Sequence, residues 1–364
     1  AFAASGDSTV AAITIGAGPA AMRGNDGVRL WLYCIALLIV AMVVVGGATR
    51  LTDSGLSITE WQPLLGAIPP LSHADWVAAF EKYQQIPQAK IVNKGMTLGE
   101  FEFIYWWEWS HRFLGRFIGV AFGLPLAWFW FRGRLSRPLA WRLTGILALG
   151  ALQGLVGWLM VKSGLVDRID VSPYRLALHL TLAVAIFALV LWTAMDLAPR
   201  KTGILLDTLP RGARLVSGLL VAGVVVQIAL GAFVAGLKAG RAYNTWPLMD
   251  GGLMPDAMWA HSPWYLNPFE NMATAQFDHR MMAYAVLAVA VWHAVRVWRT
   301  ADDERIGNSS LWLAAMVLAQ VALGVWTLLA AVPLWLGLAH QAMAMLVLAI
   351  ALRHRHDVVR SAAG

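Results

Sequence analysis

Residues Glu100–Gly119 read EFEFIYWWEWSHRFLGRFIG, and the run Phe117–Phe131 continues them without a charge. His111 stands at the mouth of that run. Around it sit Glu102, Glu108, Trp106, Trp107, Trp109, Arg112 and Arg116. A long apolar run headed by aromatic residues reads as a membrane helix with its interfacial belt. An ionisable residue at the top of such a helix is a functional candidate, and an interfacial histidine within the belt is the competing reading. The rest of the chain weighs between them, because the pattern occurs four times.

Of the 364 residues, 59% are hydrophobic and 13% charged, where a soluble domain carries about 25% charged residues. The composition is that of a polytopic membrane protein. Nineteen Trp suit interfacial belts at many helix ends. The net charge of +7 reflects Lys and Arg gathered in loops on one side of a membrane and is no sign of nucleic-acid binding. The single cysteine, Cys34, is read as buried in the first apolar run. It excludes an internal disulfide and any multi-cysteine metal or iron–sulfur site.

Eight runs are long enough to cross about 30 Å of hydrocarbon: roughly 30–49, 110–131, 141–161, 176–195, 214–236, 279–298, 310–331 and 334–352, with Pro333 marking the turn between the last two. The expected fold is an all-α polytopic membrane protein whose eight transmembrane helices form two tandem four-helix bundles. Its parts are a disordered tail 1–28, an N-terminal bundle 29–196, a linker 197–213, a C-terminal bundle 214–353 and a tail 354–364. Arg132, Arg134, Arg137 and Arg142 follow the second run; Arg200, Lys201, Arg211 and Arg214 follow the fourth; Arg296, Arg299 and Arg305 follow the sixth; and Arg353, Arg355 and Arg360 follow the eighth. The positive-inside rule puts these on the cytoplasmic or matrix side together with both termini. Two long loops, about 50–102 and 238–276, then lie on the opposite face.

His111, His179, His279 and His340 each open an even-numbered run from that opposite face. The chain repeats itself: His111-Arg112 answers His279-Arg280, and Leu176-Ala-Leu-His179 answers Gly337-Leu-Ala-His340. Gln153, Gly157 and Trp158 answer Gln320, Gly324 and Trp326. Gly46 and Trp61 stand at the same separation as Gly231 and Trp246. Each half has an even number of spans, so the repeats are parallel, related by an axis along the membrane normal. In this register Glu60 faces Thr245. A carboxylate kept in one half only suggests chemistry confined to that half, and drift in a loop after duplication is the other reading.

Two imidazoles on opposite faces of a porphyrin make a six-coordinate haem iron suited to electron transfer, and four-helix bundles build such sites from facing helices. The residues therefore suggest two haem irons, one ligated by His111 and His179, the other by His279 and His340. Arg112, Arg116, Arg175 and Arg280 suit anionic propionates, against the alternative of snorkelling to lipid headgroups. Gly46, Gly47, Gly115, Gly154, Gly157 and Gly231 suit close approach of a helix or a porphyrin. His73 and His261 read as solvated loop residues, His293 as interfacial, and His354 and His356 as part of a basic tail. Zinc fits four histidines on four helices less well. Apart from chemistry, a dihaem b-type electron-transfer protein is an equal use of these ligands. A transporter is disfavoured by the absence of paired intramembrane carboxylates.

Gly46-Gly47-Ala-Thr-Arg50-Leu-Thr-Asp-Ser-Gly55-Leu-Ser, with Glu60-Trp61 and Pro63, resembles the first outer loop of the haem A synthase family. Glu102-Phe-Ile-Tyr-Trp-Trp-Glu108-Trp-Ser-His111-Arg112-Phe-Leu-Gly-Arg116 resembles that family's second helix. Phe277-Asp-His279-Arg280 and Ala339-His340-Gln341 resemble its second half, so the likeness spans roughly 28–353. It implies oxidation of a porphyrin methyl of haem O to the formyl of haem A, with substrate haem in the N-terminal half and a resident haem b in the C-terminal half. It also implies an essential carboxylate in the first outer loop, which maps to Glu60. The chain lacks the outer cysteine pair of many bacterial members and is similar to the Cys-lacking proteobacterial and mitochondrial subgroup. The expected setting is the bacterial inner membrane, or the mitochondrial one in a eukaryote. Expected partners are haem O, membrane lipid, haem O synthase and an electron donor of unassigned identity; homo-oligomerisation stays open and no nucleic acid is expected.

Overall fold

The computed structural model describes residues 19–62, 65–166, 168–199 and 209–361. Residues 1–18 of the expected tail lie outside the described residues, as do Pro63, Arg200 and Lys201. Eight helices are long and apolar enough to cross a membrane: α1 Pro19–Leu51, α2 Leu98–Phe131, α3 Arg137–Gly164, α4 Pro173–Asp196, α5 Ala213–Gly236, α6 Met272–Thr300, α7 Glu304–Leu329 and α8 Leu334–Ser361. The chain is a multi-pass, all-α membrane protein, and among the described residues no β-strand forms.

The helices run past the apolar stretches that predict them, because polar caps and not hydropathy fix their ends. α2 starts at Leu98, where Thr97 and Glu100 form a reciprocal capping box. His111 therefore sits well inside a 34-residue helix and not at its mouth. Asn271 caps α6 through Ala273 N at 2.8 Å, and Asp303 caps α7 through Arg305 N at 2.9 Å. α1 begins at Pro19, inside the stretch expected to be a tail. α8 continues to Ser361, so 354–361 is helix and not tail. His354 is fully buried there. Its Nε2 is 2.9 Å from Nε2 of the equally buried His293, and its Nδ1 is 2.7 Å from Ser309 Oγ. His356 is also buried and reaches Asp196 at 3.2 Å. Neither the interfacial reading of His293 nor the tail reading of the other two holds. Cys34, expected to be buried, is exposed on α1.

Each half closes into a ring. α1 packs on α2, α2 on α3, α3 on α4 and α4 on α1; α5 through α8 close the same way. The rings join along α1–α8, α4–α5 and α4–α8. One apolar core runs through both, from Leu32, Ile35 and Ile39 of α1 to Val347 and Leu348 of α8. The long loops gather at the end where the histidine-bearing helices begin. Helix His73–Tyr83 is capped there by a Ser72–Asp75 box, and Tyr83, Phe101, Leu56 and Val171 form a small second core. At the same end Arg50 meets Asp53 at 3.0 Å and Asp170 at 3.1 Å, and Lys238 meets Asp53 at 2.9 Å and Asp170 at 3.2 Å. That four-charge cluster ties the end of α1 and the α3–α4 loop to the end of α5.

Candidate functional site

Each of the four histidines rests on a glycine of the preceding helix. A Cβ placed on Gly46 would stand 2.8 Å from Cε1 of His111, and one on Gly157 2.9 Å from that of His179. The same atom on Gly231 would be 3.1 Å from His279, and on Gly324 2.8 Å from His340. Any side chain at these positions would push the ring away, so the backbone of one helix sets the orientation of an imidazole on the next. Gly154, in contrast, has nothing near it, while Gly47 faces Gln341 and Gly115 faces Met42.

The rings of His111 and His179 lie 6.4 Å apart between centroids, at 65°. Imidazole–metal bonds of about 2.0–2.1 Å, as in zinc sites, put two opposed rings about 6 Å apart across one metal atom. His111, His179 and His340 each keep a buried Nδ1 without a partner, an uncommon state for a buried polar atom. Among the described residues no group of three or more His, Cys, Asp or Glu is placed to hold a metal. Paired imidazoles are the donor set for a metal that brings its own equatorial ligands, and haem iron fits that description.

A second repeated feature is a glutamine one turn before three of the glycines. Gln153 Nε2 donates to the His179 carbonyl at 2.9 Å, Gln227 Nε2 to that of His279 at 3.0 Å, and Gln320 Nε2 to that of His340 at 2.9 Å. Gln227 Nε2 also lies 3.0 Å from Nδ1 of His279. In the sequence Gln153 and Gln320 stand out as repeat markers only, and Gln227 gains its role from this contact. The fixed spacing to the cradling glycine was the available signal.

The arginines divide by half. Arg280 is buried; its Nη2 donates to the carbonyls of Tyr243 at 3.2 Å and Thr245 at 2.8 Å and to Gln276 Oε1 at 3.2 Å. Its Nε and Nη1 are buried without a partner and suit an anionic group such as a propionate. Arg112 is committed to protein: its Nε and Nη2 hold Glu108 Oε1, the first at 3.0 Å, and it donates to the carbonyls of Ile58 at 2.7 Å and Glu60 at 3.1 Å. Arg116 donates to the Gln62 carbonyl at 2.9 Å, and Arg175 to that of Leu159.

The two carboxylates of the first half differ sharply. Glu60 is at the surface, paired with Lys82 at 2.7 Å and with Gln62 Nε2 at 2.9 Å. Glu108 is 2% exposed, one turn from His111, and its Oε2 accepts from Ser57 Oγ at 2.7 Å and Ile58 N at 2.8 Å. In the repeat register Glu108 corresponds to Gln276, so this carboxylate too belongs to one half. The sequence held that signal, and burial is what singles the residue out. His73 and His261 are exposed.

The family COX15-CtaA, cytochrome oxidase assembly protein, matches residues 29–352. A heme A synthase of Chelativorans sp. (strain BNC1) is 53% identical over 335 residues, covering 92% of both chains. Heme A synthases of Brucella ovis and Brucella melitensis biotype 1 are each 50% identical over 332 residues, covering 91% of this chain and 92% of theirs.

Proposed function

The chain belongs to the COX15-CtaA family of cytochrome oxidase assembly proteins, and from that membership and its paired histidines we propose that it oxidises a methyl group of haem O to the formyl group of haem A. Substrate haem is held between His111 and His179 in the first half. His279 and His340 would hold a resident haem b in the second, and Arg280 would pair with its anionic propionates. When bound, such a haem supplies one-electron transfer. The observation that carries the reading is asymmetry between otherwise matched halves. The first half carries Glu60 and the buried Glu108 where the second half has Thr245 and Gln276, while the second half's own carboxylate, the partly exposed Asp278 beside His279, stands where the first half has Ser110. Counted against water as the oxygen source, converting the methyl to a formyl group inserts one oxygen and releases four electrons and four protons; the electrons leave to a redox partner, and a carboxylate beside the substrate accepts protons.

Glu60, on the loop, reaches a substrate only after leaving Lys82. Glu108 already stands beside His111, and it takes the proton-accepting role here, with Glu60 kept as the alternative. Arg112 and Arg116 then act on the loop 58–62, holding it over the site. The protein lies in the bacterial cytoplasmic membrane with both termini in the cytoplasm, or in the mitochondrial inner membrane of a eukaryote. It takes substrate from a haem O synthase and exchanges electrons with a separate redox partner.

The test is haem extraction with mass spectrometry on full-length protein made with and without a haem O source, alongside His279→Ala and His340→Ala. One firmly held haem b is expected in both preparations. Haem O, a hydroxylated intermediate and haem A should appear only with the source, and the low-spin signal should weaken in either variant. Two equal b haems that never exchange would overturn the reading in favour of an electron carrier.

A further inference from the structure

Resting on the two-site reading above, one of the four histidine cradles breaks the pattern. Gln153, Gln227 and Gln320 each stand one turn before the cradling glycine and donate to a histidine carbonyl. At His111 the same place, one turn before Gly46, is held by Met42. A thioether has no hydrogen to donate. The position one turn after each histidine departs in step: Ala183, Ala283 and Ala344 follow three of them, and Gly115 follows His111. The two exceptions face each other, since a Cβ on Gly115 would stand 3.1 Å from Met42 Cε. Gln–Ala recurs at three cradles, and Met42–Gly115 stands at the fourth. The pair removes the α1 side-chain donor to the His111 carbonyl, leaving the long contact from Thr49 Oγ1 to the Trp107 carbonyl at 3.4 Å one turn earlier, and puts a glycine into the His111 turn, which weakens a helix.

We propose that the Met42–Gly115 pair makes His111 the releasable ligand of the first-half site, with His179 the retained one. Exchange of product for substrate then begins on the His111 side. The second half has both histidines tied, as a resident haem requires. Met42 acts through His111 and is a positioning residue.

The experiment uses the full-length protein charged with haem O, and follows transfer of haem to excess apomyoglobin by absorbance. The first-half component is identified as the one missing from His179→Ala. Met42→Gln with Gly115→Ala restores the arrangement of the other three cradles. It should slow release of that component roughly fivefold, matching one added hydrogen bond of about 1 kcal/mol, with the low-spin spectrum kept. Gln153→Met with Ala183→Gly should instead speed release, and carries the test if the first variant does not fold. Release unchanged in either folded variant overturns the inference while leaving the two-site reading intact. A parent protein with no His179-dependent haem component overturns that reading, and this inference with it.

Discussion

Glu108 and Glu60 differ in what must break before either meets a substrate. Glu60 is joined to Lys82 by a pair whose side chains are 46% and 55% exposed, an interaction contributing about 0–1 kcal/mol. Glu108 has four donors from Arg112, Ser57 and Ile58 and is fixed beside His111. Glu108→Gln keeps the shape and removes the charge. It should leave the resident haem in place and lower haem A output by about 10²–10⁴-fold, the range for a lost proton-transfer group. Glu60→Gln should stay within a few-fold of the parent. Haem A per protein, with the low-spin spectrum as the folding control, decides between them, and the reverse ranking would return the role to the loop. The repeat register was legible in the sequence and exposed the Glu60–Thr245 difference. It held Glu108–Gln276 equally. Which carboxylate is buried depends on how α2 is rotated under the loop, and that is set by the Arg112 contacts to Ile58 and Glu60, which join residues more than fifty positions apart.

At the scale of helices, α1 and α8 join the halves beside the two sites. Gln341 Nε2 donates to the Val43 carbonyl at 3.0 Å, and its side chain fills the space a Cβ on Gly47 would need. Gln341 follows His340, and Gly47 follows Gly46, on which His111 rests. Each site is thus one residue from this contact. Gly47→Ala would drive a methyl into Gln341, and overpacking of this kind costs about 1–3 kcal/mol. The expected outcome is a lower melting temperature in detergent together with altered haem absorption from both halves. A change confined to one half, or none, would show that the halves are independent there. The number of helices followed from the lengths of the apolar runs. Their ends did not, because caps such as Thr97–Glu100 and contacts such as Arg360 to the Asp196 carbonyl at 2.9 Å lie outside those runs. The Gly47–Gln341 contact was likewise illegible, since it depends on how two helices 298 residues apart come together.

For the whole molecule, orientation decides which compartment the sites serve. The arginines at the inner ends of the helices sit in short connections, where they carry topological weight. The basic residues at the histidine end, Arg50, Lys82, Lys90, Lys94, Lys162, Arg168, Arg175, Lys238 and Arg241, are fewer than those at the other end, and the bias in Lys and Arg sets orientation. Several are also neutralised locally: Lys82 by Glu60, and Lys238 by Asp53 and Asp170. Even-span connectivity then puts both helical termini with the arginines. Single cysteines on a Cys34→Ala background test this, the native thiol being exposed on α1. With a membrane-impermeant maleimide on intact spheroplasts, His73→Cys and His261→Cys should label at once, and Arg137→Cys and Arg299→Cys only after permeabilisation. Labelling of Arg299→Cys from outside would invert the protein. The loop carrying Glu60 and the histidine ends of both bundles would then face the cytoplasm, and the redox partner would have to be sought on that side.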